Sequence, residues 1–184
     1  MVLTNTPVPI GFRQRTFNRL EVISLQPNIL LRIERGTVRT LTWNQEGTTV
    51  TLGYWSAGDV VGQPLCGVQP YQMQCLTSVE ASYIPSHEWG QALDAIFRHT
   101  QQAEELFCIV RQERIQLRLL QLLIWLARKF GCAVEQGQLI ELRLTHQDIA
   151  EAIGSTRVTV TRLLKQFEQE GIIHRSRRHF ILLR

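Results

Sequence analysis

Residues Leu144–Ile173 read LTHQDIAEAIGSTRVTVTRLLKQFEQEGII, and their order of caps, glycines and apolar spacings decides the fold. Thr145 stands where its hydroxyl can accept a hydrogen bond from the Asp148 amide, and Ile149 and Ile153, four apart, give the following helix one apolar face. Ala150 is small where a second helix must cross closely. Gly154 permits the left-handed backbone of a tight turn, after which Ser155 or Thr156 can cap the next helix. Val160, Leu163, Leu164 and Phe167 form the buried stripe of that helix, and Gly171 ends it. The pattern predicts a helix-turn-helix. An ordinary helical hairpin accounts for the apolar spacing but not for the basic face described next.

Thr156, Arg157, Val158, Thr159, Thr161 and Arg162 lie near the start of the second helix, largely off its apolar stripe. Short polar and cationic side chains in that place suit base edges and phosphates of double-stranded DNA. After Gly171, Ile172–Arg175 and His179–Leu183 read as two short strands around Ser176, Arg177 and Arg178, which makes a basic wing. From residue 172 onward there are four arginines and no acidic residue, placing Arg175, Arg177 and Arg178 where phosphate contact requires them.

Upstream, the chain of 184 residues has room for one medium or two small domains, and two is the preferred reading. Its 44% of hydrophobic residues can build a core. The net charge of +4 permits a polyanionic partner, but the distribution is more telling: residues 40–97 contain no Lys or Arg and include Glu46, Asp59, Glu80, Glu88 and Asp94. Cys66, Cys75, Cys108 and Cys132 form no CxxC pair, so we expect free thiols in a reducing cytoplasm and no metal site. No signal-like run or long apolar segment is present, and no membrane span is expected.

Residues 1–19 are read as an arm. Short alternating runs follow at Ile29–Glu34, Thr37–Trp43, Thr48–Tyr54, Gln72–Thr77 and Ala81–Ile84, punctuated by Gly36, Asn44–Gly47, Gly58 and Gly67–Pro70, which predicts a small antiparallel barrel or roll. From Ser86 the period becomes helical. Leu93, Ile96, Thr100, Ala103, Phe107 and Val110 recur at spacings of three and four, a heptad-like stripe that reads as a dimerisation seam; a helix packed only on its own domain is the alternative. Near Glu113–Gln116 the apolar face rotates, so a bend is expected before the helix that ends at Gly131, with Cys132–Gly137 read as a loop and Leu139–Leu144 as a strand. The fold class expected is therefore α+β: a shortened N-terminal antiparallel β-roll with its arm (1–85), a long dimerisation helix (86–113) and a C-terminal winged helix-turn-helix (114–184).

A roll, a long helix and a winged helix in this order resemble the family of cyclic-AMP receptor protein and FNR regulators, over roughly residues 20–184. The stretch LTHQDIAEAIGSTRVTVTRLL, Leu144–Leu164, is most similar to the nitrogen-control branch of that family, and GDVVG at Gly58–Gly62 resembles the Gly-acid-x-x-Gly turn of its effector roll. The resemblance implies that Arg157 contacts guanine in the major groove and that Arg162 contacts base or phosphate. Val158 stands where many members carry an acid; it can touch a thymine methyl, which implies a palindrome of the GTA-N8-TAC kind. RNA polymerase is a partner of those relatives that activate transcription.

The roll departs from the pattern. Few residues precede Asn28 to supply the family's first strands, and Gln69–Met73 stand where cyclic-AMP binders place Arg-Ser-Ala. An anion such as a cyclic nucleotide or 2-oxoglutarate would meet an acidic segment, with only Arg98, Arg111 or Arg114 able to reach in. No cofactor is expected, cofactor-binding residues are left unassigned, and haem ligation through His87 or His99 is the less favoured alternative. The function expected is that of a homodimeric, sequence-specific transcriptional regulator. Two other classes are less well supported: a protein-interaction module, which the arginine-rich wing disfavours, and an enzyme using Asp59, His87 or His99, for which no GxSxG, P-loop or HExxH motif is present.

Overall fold

The computed structural model describes residues 14–176 and 179–183. It divides into two compact units. The first holds the residues up to Val38 together with Tyr54–Gly67 and Met73–His99, and the second holds Arg39–Gly53, Val68–Gln72 and Thr100 onward.

Short strands form a roll, most of it in the first unit, with Arg39–Trp43 and Thr49–Gly53 belonging to the second. Strand β1 is Gln14–Phe17, β2 Val22–Ile23, β3 Ile29–Arg35, β4 Thr37–Trp43, β5 Thr49–Ser56, β6 Val60–Val61, β7 Gln72–Cys75 and β8 Val79–Pro85. One sheet runs β1-β8-β3-β6 and the other β2-β7-β4-β5. The run Ile29–Ile33 is almost continuously apolar because both faces of β3 are covered. Leu31 and Ile33 join Phe17, Val38, Trp55, Met73 and Val79 between the sheets, while Leu30 points the other way onto Val60, Ile84, Ala92 and Ala95. Antiparallel pairing sets Leu30 opposite Ile84 and Ile33 opposite Ala81, with a bulge before Arg35. Gly36 turns the chain with φ 87°, and a side chain there would run into the Ser78 carbonyl.

In the roll, two elements differ from the sequence reading. The region read as an arm contains β1, whose Phe17 is buried and pairs with Val79, and β2 adds an edge to the second sheet. The mostly polar β1 and the two-residue β2 take strand form through pairing, which no local pattern announces. The GDVVG turn matches its reading: Gly58 has φ 86°, and the Asp59 carboxylate accepts the Ser56 amide at 2.8 Å. His99 stacks on Trp55 with ring centroids 3.9 Å apart and donates from Nδ1 to the Val60 carbonyl at 2.9 Å; His87 is exposed beside Glu88.

The second unit is built on helices. Helix α1 is Leu93–Val110, of which Leu93–His99 belong to the first unit, and α2 Ile115–Phe130, α3 His146–Ile153 and α4 Arg157–Gln169 lie wholly in the second. The break between α1 and α2 falls where the apolar face rotates, and it is tied by Arg118, whose guanidinium donates to the Gln112 carbonyl at 2.6 Å and to the Ile153 carbonyl at 3.2 Å. Leu119, Leu122, Leu123 and Leu126 of α2 are buried, and Trp125 donates its indole N–H to Glu105 at 2.6 Å. Strands β9 (Gly131–Val134), β10 (Gly137–Ile140), β11 (Ile173–Ser176) and β12 (His179–Leu183) make one sheet in the order β11-β12-β10-β9. Residues 132–137, read as a loop, thus form most of a hairpin that extends the wing into four strands. Among the described residues no helix is long and apolar enough to cross a membrane, and no group of three metal-ligating side chains occurs. Cys66, Cys75, Cys108 and Cys132 are free thiols.

Candidate nucleic-acid interface

Helix α3 begins with a reciprocal cap. The Thr145 hydroxyl accepts the Asp148 amide at 3.1 Å, and the Asp148 carboxylate accepts the Thr145 amide at 2.7 Å, so two donors left over at the helix start are satisfied together. Ile149, Ala150, Ala152 and Ile153 are buried. Gly154 then turns at φ 63°, ψ 51°, and Ser155 N–H reaches the Ala150 carbonyl at 3.0 Å. That left-handed step costs an L side chain roughly 1–2 kcal/mol, which explains glycine at this point.

Thr156 caps α4, its hydroxyl accepting the Thr159 amide at 3.2 Å. Helix α4 is held by Val160, Leu163, Leu164 and Phe167, all buried against the rest of the unit. With that stripe inside, Thr156, Arg157, Val158, Thr161 and Arg162 are left outside, and Lys165 continues the same face. Val158 is 78% exposed. Thr159 is half-buried, its hydroxyl 3.0 Å from that of Thr156. Arg175, on β11, is exposed, whereas Arg177 and Arg178 lie outside the described residues.

The same face carries a residue that the sequence did not single out. His146, the first residue of α3, sets Nδ1 2.7 Å from Thr161 Oγ1 across the turn. Burial first, then the positive charges of Arg175 and Arg157, hold this imidazole below its ordinary pKa of 6.5. Arg143, in the segment that enters α3, points Nε at His179 Nε2 of β12 at 3.4 Å. Only the tertiary fold brings these pairs together; the sequence spacing of His146 and Thr161 carries no periodic signal.

Among the described residues, the geometry is that of an anion-facing surface with polar groups in reach of a groove: an exposed, cationic helix start, a positively charged strand beside it, and a buried stripe that fixes the helix from behind. Helix N-termini add their own positive end.

Comparison with known proteins agrees with this architecture. The model of the Crp-like helix-turn-helix domain matches residues 117–184. The regulatory protein CysR of Synechococcus elongatus is 40% identical over 182 residues, covering 96% of this chain and 85% of that one. The global nitrogen regulator of the same organism is 52% identical over 62 residues, 33% of this chain and 28% of that one. Among solved structures, the CRP-family transcriptional regulator TTHB099 of Thermus thermophilus shares the fold with TM-score 0.79 and 23% identity, covering 92% of each chain. An identity of 40% across nearly the whole length, joined to the roll, the long helix and the capped turn, leaves one conclusion: this chain belongs to the CRP/FNR family of DNA-binding transcriptional regulators.

Proposed function

We propose that the chain acts as a homodimer on a palindromic DNA site of the GTA-N8-TAC kind, without cyclic AMP, and that it is a cytoplasmic regulator with no catalytic activity. The observation that carries the reading is the exposed face of α4 from Thr156 to Arg162. Arg157 reads guanine through two hydrogen bonds, and Val158, exposed at 78%, packs on a thymine methyl of the next pair. Arg162, Thr159 and Thr161 hold base or backbone, and Arg175 grips flanking phosphate; the parallel assignment of Arg177 and Arg178 concerns residues outside those described.

Dimerisation is assigned to α1, as in the three-part division of roll (1–85), long helix (86–113) and winged helix (114–184). Leu93, Phe97 and Phe107 are 51%, 62% and 63% exposed, large apolar groups that a second copy would remove from water. Leu93, Thr100 and Phe107 recur every seven residues on this outer side. Ile96, also read as part of the seam, packs on the roll's own cluster with Leu30 and Val60, and Ala103 and Val110 are half-buried; they flank the seam from within. Pairing two α4 helices about a two-fold axis is what matches a palindrome.

The test is binding of ligand-free protein to a GTA-N8-TAC duplex and to a scrambled one across a salt titration. Selective binding to the palindrome, with two chains per duplex, is the expected result. Equal affinity for both duplexes at every salt concentration would rule out this half-site.

A further inference from the structure

His146 is half-buried against Thr161, on the face that carries the exposed Arg157, and has no part in holding helix α3 or α4 to the core. Its hydrogen bonding fixes a role for it. Thr161 Oγ1 lies 2.8 Å from the Arg157 carbonyl and 2.7 Å from His146 Nδ1. The carbonyl can only accept, so the single hydroxyl hydrogen of Thr161 goes to it. The hydroxyl must then accept from His146, and Nδ1 is the nitrogen that carries hydrogen. A neutral imidazole has one N–H, which leaves Nε2 as a bare lone pair that repels a phosphate oxygen. In the imidazolium, Nε2–H is a donor while the Thr161 contact stays as it is.

We propose that His146 contacts a DNA phosphate as the imidazolium, donating from Nε2, so that DNA binding takes up one proton per chain. The proposal rests on the DNA-binding reading above.

The groups around His146 favour its neutral form in the free protein. From α4 Arg157 brings positive charge, from β11 Arg175 does, and Arg143 stands before α3 directed at His179 of β12. The acids on its own helix are committed elsewhere: Asp148 and Glu151 both hold Arg39, at 2.7 and 3.2 Å. Burial, Arg175 and Arg157 accordingly push the imidazole pKa down. A phosphate offsets that positive field and supplies an acceptor for Nε2–H, so the pKa rises on binding. The sign follows. Because the bound-state pKa is higher, affinity increases as pH falls through it and levels off below the free-state pKa, which lies under 6.5. Affinity changes by at most about tenfold per pH unit within that window.

The experiment uses the full chain and a duplex selected from random DNA, with ionic strength held constant. Wild-type affinity is expected to rise by roughly three- to tenfold between about pH 8 and about pH 6, within the tenfold-per-unit limit. His146→Gln flattens that rise, although His174 and His179 remain, and His146→Lys binds with the acid-form affinity at both pH values. NMR titration of the His146 ring is expected to give a higher pKa in the complex than in free protein. Equal pH slopes in wild type and His146→Gln overturn the proposal, as does a slope of opposite sign, which means that neutral Nε2 accepts from a base amino group. Selective binding without a slope removes this proposal alone, whereas no binding to any selected duplex removes the DNA reading as well.

Discussion

Arg39 is clamped to Asp148 within the second unit: Nη1 lies 2.7 Å from Oδ1, with the two side chains only 11% and 16% exposed, and Glu151 accepts the same nitrogen at 3.2 Å. Asp148 is also the carboxylate of the α3 cap, so one side chain serves the helix start and the β4 arginine at once. Arg39→Ala strands two partly buried carboxylates, at a cost of about 1–3 kcal/mol. Denaturant unfolding checks this, and Arg39→Ala combined with Asp148→Asn and Glu151→Gln is expected to recover part of the loss. A change below about 0.5 kcal/mol would assign the pair to the weak class of surface ion pairs.

Arg157 and Arg175 are expected to fail differently when truncated. Arg157→Ala loses one base-pair preference, about 1–3 kcal/mol on the preferred site and little on a site already mutated there. Arg175→Ala weakens every duplex alike and lowers the slope of log affinity against log salt by about one. Binding titrations on matched and mismatched duplexes at several salt concentrations separate the two. Identical losses on all sequences for both variants would remove the division between reading and gripping.

Phe97→Glu and Phe107→Glu each place a charge on the outer face of α1. If that face is the seam, each variant shifts the protein to monomer in analytical ultracentrifugation and binds a palindrome no better than a single half-site. Neither phenylalanine is buried within the chain, so thermal unfolding of the roll and the winged helix is expected to change little. Dimers that persist in both variants would move the interface elsewhere.

The turn between α3 and α4 was readable because its signals are local. Thr145, Gly154 and Thr156 act on backbone groups within four residues of themselves, and Val160 to Phe167 repeat at helical spacing. The α1 face was only half readable. Leu93, Thr100 and Phe107 and the offset set Ile96, Ala103 and Val110 share one heptad period, and what turns Ile96 inward is the roll's Leu30, Val60 and Ile84, which the helix sequence does not contain. Strand β1 has one buried residue in four and exists by pairing with β8. Arg39 finds Glu151 112 positions away, and His146 finds Thr161 across the turn, contacts that no periodicity encodes.

Cys75 and Cys108 give a chemical check on the packing. Cys75 is fully buried between the sheets, whereas Cys108 is exposed on α1. Burial, then the nearby negative charge of Glu21, push the Cys75 thiol from its ordinary 9.0 up to about 12. A thiolate is the reactive form, so an alkylating reagent at pH 8 is expected to label Cys108 within the native protein and Cys75 only on unfolding. The same shift sets the sign of a pH effect. The folded thiol binds its proton more tightly than the unfolded one, so its contribution is intact below 9.0 and is lost as pH rises toward about 12. Cys75→Ala is expected to remove that alkaline sensitivity while costing some stability at neutral pH through the space it leaves among Phe17, Met73 and Val79. Mass-spectrometric labelling of native protein and urea unfolding between about pH 8 and pH 10 measure both; native labelling of Cys75 as fast as Cys108 would contradict the packing of the roll.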